Sequence, residues 1–137
     1  MIERPSQKWQ RTTTEQVERI ARGEIDEDHA EAWAVRLWPA APVAKIDEVL
    51  AVYEADIAAL AESGAVPGDE AVLVAAEKAV TGLNEIDLEH GLIETGEREE
   101  LCEYVDAVPR SQGVDMAALA RRHGFDDGDL AGLWRDW

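Results

Sequence analysis

The residues best placed to do chemistry are carboxylates at helical spacing. Glu94, Glu97, Glu100, Glu103 and Asp106 fall on adjoining turns of one stretch, and only Arg98 and Arg110 relieve their charge there. Like charges at such spacing cost about 0.2–0.5 kcal/mol per pair. A row kept despite that cost reads as a docking face for a basic protein. The plainer alternative is a solvated helix face whose leading carboxylates complement the helix dipole.

Other groupings point to metal chemistry or catalysis and carry less. Asp26 and His29, and again Asp87 and His90, set a carboxylate and an imidazole three residues apart, which a helix would bring onto one face. Paired Glu-x-x-His motifs with two further Glu residues build di-iron bundles. Here the carboxylates are Asp and the pairs sit at helix ends. Glu54 and Glu77, the imaginable remaining ligands, fall on faces that read as exposed. No metal or other cofactor is expected. A calcium loop over Asp87–Arg98 fails at its twelfth position, where Arg98 stands in place of a bidentate Glu. Leu119, Ala120, Gly124 and Leu130 have helix-turn-helix spacing, but the second helix would open on Asp126, Asp127 and Asp129 and repel phosphates. Cys102, beside Leu101 and with no nearby His or second Cys, reads as a buried, inert thiol rather than a nucleophile. No glycine-rich phosphate loop or serine elbow is present.

The elements that must hold these residues are helical throughout. Residues 1–12 lack periodicity and read as an N-terminal arm pinned by Trp9; Thr12–Thr14 offer caps for a helix burying Val17, Ile20 and Ala21. Asp26–Asp28 suit a helix start before Ala30, Trp33, Ala34, Leu37 and Trp38. The tryptophans read as core, with ligand stacking the alternative, and Pro39 and Pro42 end the segment. Val43, Ile46, Leu50, Tyr53, Ile57 and Leu60 then step by three and four without a miss, and Ser63-Gly64 stops that helix. The next starts near Asp69 and carries a broad apolar face through Val72, Ala76, Ala79, Leu83 and Ile86. A break at Gly91 leads to a helix over 94–108, capped by Thr95, burying Leu101, Val105 and Val108 and closed by Pro109. Asp115 caps Met116–His123, and Leu130, Leu133, Trp134 and Trp137 finish the core. No strand-like alternation and no repeat appears. The expectation is an all-α fold: one domain over 13–137, a compact bundle of six or seven helices around two long central antiparallel ones.

Composition bounds the function. Across 137 residues, 46% hydrophobic and 31% charged content is globular rather than disordered. The formal charge of −17 is uneven. Residues 1–23 hold five Lys/Arg against three Asp/Glu, and the remainder eight against 27. Such a field repels nucleic acid and anionic membrane and attracts basic proteins. The lone cysteine favours a reducing compartment, no apolar run of leader or membrane length appears, and a cytoplasmic location is expected.

The run Leu92-Ile93-Glu94-Thr95-Gly96-Glu97-Arg98-Glu99-Glu100-Leu101-Cys102, after Leu83-Asn84 and with the terminal Trp134-Arg135-Asp136-Trp137, resembles small acidic helical proteins of bacteria that carry an IETxxRxxLC-type helix. That resemblance spans about residues 70–137 and brings no activity with it. In size and charge the chain also looks like immunity proteins, which neutralise toxins. The expected function is a non-enzymatic, acidic protein-binding module that caps a basic effector, such as a nuclease. The alternatives are a metal-dependent helical-bundle enzyme using His29 and His90, and a structural oligomerisation domain.

Overall fold

Six α-helices, and no strand among the described residues, make up the fold: α1 (Pro5–Ala21), α2 (Trp33–Leu37), α3 (Ala40–Leu60), α4 (Asp69–His90), α5 (Thr95–Ser111) and α6 (Met116–His123). Short 3-10 turns at Ala30–Ala32 and Leu130–Leu133 complete it. The computed structural model describes residues 2–62 and 64–137, so Ser63 of the expected Ser63-Gly64 stop lies outside the described residues. None of the described helices is long and apolar enough to cross a membrane.

The two long helices α3 and α4 form the centre. Val43, Ile46, Leu50, Tyr53 and Ile57 are at most 1% exposed, as their spacing predicts, and meet Val72, Ala76, Val80 and Leu83 of α4. The helices approach closely at Gly82, where a Cβ would stand 3.3 Å from Val49 Cγ2. Pro42 does not lie outside α3. It sits in the first turn, where a missing N–H has no intrahelical partner to lose. Gly91, at φ +61°, turns the chain out of α4.

The amino-terminal segment departs from expectation. Residues 5–12 are helical rather than an arm, because Pro5 at the first helical position is pre-set for a helix and Gln7 Oε1 accepts the Arg4 backbone N–H at 3.0 Å. Thr12, read as a possible cap, lies mid-helix with its hydroxyl bonded to Lys8 O at 3.0 Å. The buried face of α1 is Ser6, Trp9, Thr13 and Gln16, whereas Val17 is 48% exposed. The expected helix from Asp26 is replaced by turns leading to the short α2. Trp33 and Leu37 point largely outward, which corrects their placing in the core. Trp38 is half-buried and stacks on fully buried Trp9 with ring centroids 5.7 Å apart, and Trp33 meets its edge.

α5 begins at Thr95 with Glu94 as its cap and runs through Pro109 to Ser111. Pro109 does not close the helix. A proline there removes the N–H that would bond the carbonyl four residues earlier, and that carbonyl, Val105 O, instead accepts the Tyr53 hydroxyl of α3 at 2.7 Å. Asp115 caps α6 as expected, accepting Ala118 N at 3.0 Å. Leu130 and Ala131 are buried and Trp134 and Trp137 pack on the core, but Leu133 is largely exposed. Asn84 latches the C-terminus, its amide donating to Trp134 O and accepting from Asp136 N.

Candidate functional site

α5 carries the expected acidic row, and the structure divides it. Glu94 and Glu103 are exposed and Glu97 is half-exposed. Glu100 is not a free surface charge: its two oxygens accept Lys8 Nζ at 2.9 Å and the Trp9 indole N–H at 3.0 Å. Asp106 leaves the row altogether, being 2% exposed. Glu99, outside the expected set, is exposed one turn before Glu103. The outward stripe is therefore Glu99 and Glu103, with Glu94 and Glu97 at the start of the helix. None of these four forms an ion pair among the described residues, nor do Arg98 and Arg110.

A cleft of 330 Å³ lies along this stripe, bounded by Glu99, Cys102, Glu103, Asp106, Arg110 and Gly128. Asp106 Oδ1 accepts Leu130 N at 3.3 Å, and its buried Oδ2 has no partner. Burial pushes the Asp106 carboxyl above its ordinary range and Asp127 and Asp129 add to that; the Leu130 N–H and Arg110 oppose it. Cys102 is half-buried rather than fully within the core, and burial raises its thiol, so it is held away from the reactive thiolate.

The remaining sequence candidates stay apart. Asp26 lies in a turn, its carbonyl accepting His29 N at 2.9 Å, while His29 Nδ1 accepts Glu31 N at 3.1 Å as a cap. Asp87 Oδ1 accepts Ile93 N at 2.7 Å, closing the turn between α4 and α5, and His90 lies 3.7 Å from Glu89. Asp26 and His29 lie outside the α-helices, and Asp87 and His90, in the last turn of α4, form no side-chain bond with each other. Among the described residues no three His, Cys, Asp or Glu side chains gather around a common point.

The sequence reading missed a polar clasp. Arg4 donates to Asp47 at 2.8 Å and to Glu54 at 2.9 Å, Ser6 donates to Asp47 at 2.7 Å, and the Tyr104 hydroxyl donates to Glu54. The Asp47 hydrogen bond raises the Arg4 pKa. Burial pushes Asp47 up, but the Arg4 and Ser6 hydrogen bonds overcome it and hold the carboxyl below its ordinary range. One signal was present: Asp47 and Glu54 stand two turns apart on one side of α3. Their cation lies more than forty residues away, which no local spacing reveals.

No protein-family model, curated protein or solved structure matches this chain. On the α5 face, Glu94, Glu97, Glu99 and Glu103 stand without an ion-pair partner among the described residues.

Proposed function

We propose that this chain is a non-enzymatic, acidic protein-binding module that holds a basic effector against the outer face of α5, in the manner of an immunity-type inhibitor. One observation carries the reading. Most Lys and Arg side chains are engaged within the molecule, as in Arg4–Asp47, Lys8–Glu100, Arg19–Glu31, Lys78–Asp56 and Arg122–Asp69, while Glu94, Glu97, Glu99 and Glu103 have no such partner among the described residues. Arg98 and Arg110 are the only cations on α5, fewer than its carboxylates, and the partner supplies the rest. Inhibition is by occlusion: the carboxylates occupy a surface built for phosphates, and the acidic field speeds encounter.

The test uses basic proteins encoded beside this chain, titrated at rising ionic strength. Association slows steeply with salt, and the double variant Glu99→Lys, Glu103→Lys slows it by at least about tenfold with its helical spectrum unchanged. Binding that ignores both salt and the double variant, or no binding by any of these proteins, overturns the proposal.

A further inference from the structure

α3 is apolar on more than its buried side. Ala44, Val52, Ala55, Ala58 and Ala59 lie on its exposed surface, with Val52 44% exposed. Beside it on α4, Val74 is 66% exposed. Two adjoining clefts of 210 Å³ and 510 Å³ lie between these helices and meet at Ala75 and at the Asp56–Lys78 pair, which joins α3 to α4 there; together they line one α3–α4 groove. Val49, Val52, Leu60 and Val74 supply its apolar wall, while Ala75 and Ala79 keep the floor low. The groove follows α3 from Glu48 to Leu60, a rise of about 18 Å, or a little over three turns of helix.

Its charges say what fits. Glu48, Asp56 and Glu70 line the groove against one cation, Lys78, which is already bonded to Asp56 at 3.1 Å. A second copy of this chain would bring the same acidic rim and the same net charge of −17. A segment with an apolar stripe and basic flanks meets both the floor and the rim. We propose that the α3–α4 groove receives an amphipathic, basic helix from another protein. This surface is separate from the α5 face and goes beyond the function proposed for it.

The probe is a synthetic amphipathic peptide of about four helical turns, with Leu on one face and Lys on the others, titrated into the full chain by calorimetry. Two control peptides accompany it, a scrambled sequence of the same composition and a version with Glu for Lys. The striped basic peptide binds, and both controls bind at least about tenfold more weakly. Val52→Asp with Val74→Asp, at exposed positions that leave the fold intact, weakens binding by a similar factor, as does Glu48→Lys with Glu70→Lys. The α5 double variant Glu99→Lys, Glu103→Lys leaves peptide affinity within about twofold, so this proposal and the α5 reading fail separately. Equal binding of the scrambled peptide, indifference to the two Val changes, or a loss as large from the α5 variant overturns the inference. So does a chain that sediments as a dimer and becomes a monomer on Val74→Asp, since a second copy would then be the occupant.

Discussion

The α3–α4 contact and the contact of α1 with residues 30–38 are both buried, but the second adds buried hydrogen bonds to the stacking of Trp9 on Trp38. Between α3 and α4 lie Ile46, Leu50, Ile57, Val72, Val80 and Leu83, apolar and fully enclosed. On α1 the buried groups beside Trp9 and Pro5 are polar. Thr13 Oγ1 reaches Ala34 O at 3.3 Å and Trp38 O at 3.2 Å, and Gln16 Oε1 accepts Ala34 N at 2.8 Å. The first contact draws its stability from area removed from water, which is large and undirected. The second gains little per bond, but it fixes one register, because a slip would strand buried donors and acceptors. A buried polar group is compatible with the core only when its partners are present. Three tests probe that rule: one on the apolar contact, one at a residue that joins both kinds of interaction and one where the rule is broken.

The largest effect belongs to the apolar contact. Leu50 is fully buried at the middle of α3. Leu50→Ala removes buried carbon and leaves a cavity, and the expected loss is about 2–5 kcal/mol in urea unfolding. A loss below about 1 kcal/mol would mean that the interface collapses onto the gap, and α3 would then lose its standing as the rigid partner in the comparison.

Tyr53 belongs to both kinds of contact. Its ring lies in the apolar stripe, and its hydroxyl satisfies the carbonyl left open by Pro109. Burial, with a smaller contribution from Asp106, raises its pKa far above the ordinary phenol range, so it stays a donor at any working pH. Tyr53→Phe leaves Val105 O buried without that donor and is expected to cost about 1–3 kcal/mol. With Pro109→Ala in the background, the restored N–H of residue 109 takes the carbonyl, and the cost of Tyr53→Phe shrinks. Unfolding of the four proteins in this cycle measures the coupling. Equal costs in both backgrounds would show that the tyrosine hydroxyl and the proline act independently.

The same division explains what could be read before the structure. Residues stepping by three and four located α3 to within a few residues, because apolar burial has a period that single residues report. α4 and α5 were legible for that reason. α1 was not: beside Trp9 its inward residues include Ser6, Thr13 and Gln16, types that look exposed until their partners are in place, on α3 for Ser6 and on α2 and its flank for Thr13 and Gln16. The acidic row failed in the same way. Helical spacing put Glu100 and Asp106 in line with Glu103, but Trp9 and Lys8 draw Glu100 inward and the turn before Leu130 covers Asp106. Both partners come from distant parts of the chain. Leu133, Trp33 and Val17 err the other way, apolar residues that remain exposed.

Asp106 is the buried carboxylate at which the rule is broken, as it is at the indole N–H of Trp38 and Trp137, and its expected effect is the smallest and of opposite sign. It is 2% exposed, Oδ1 has only the 3.3 Å bond from Leu130 N, and Oδ2 has none. A buried carboxylate so poorly served opposes folding. Asp106→Asn keeps the acceptor for Leu130 N and removes the charge, and it is expected to stabilise the protein by about 1 kcal/mol at neutral pH. The sign with pH follows from the raised native pKa. An unfolded Asp releases its proton near pH 3.9, about where ordinary carboxyls titrate. The native carboxyl still holds its proton there, so the folded state binds more protons, and stability falls as pH rises from about 4 through the higher native pKa. Asn cannot titrate and escapes that fall. The stability gap between variant and parent should therefore be small near pH 4, widen as pH rises and level off once the native carboxyl is ionised. Urea midpoints across that range measure it. A constant gap, or a variant less stable than the parent at pH 7, would mean that Asp106 is served by its surroundings as fully as Thr13 and Gln16 are, and that this corner of α5 belongs with the latched contacts.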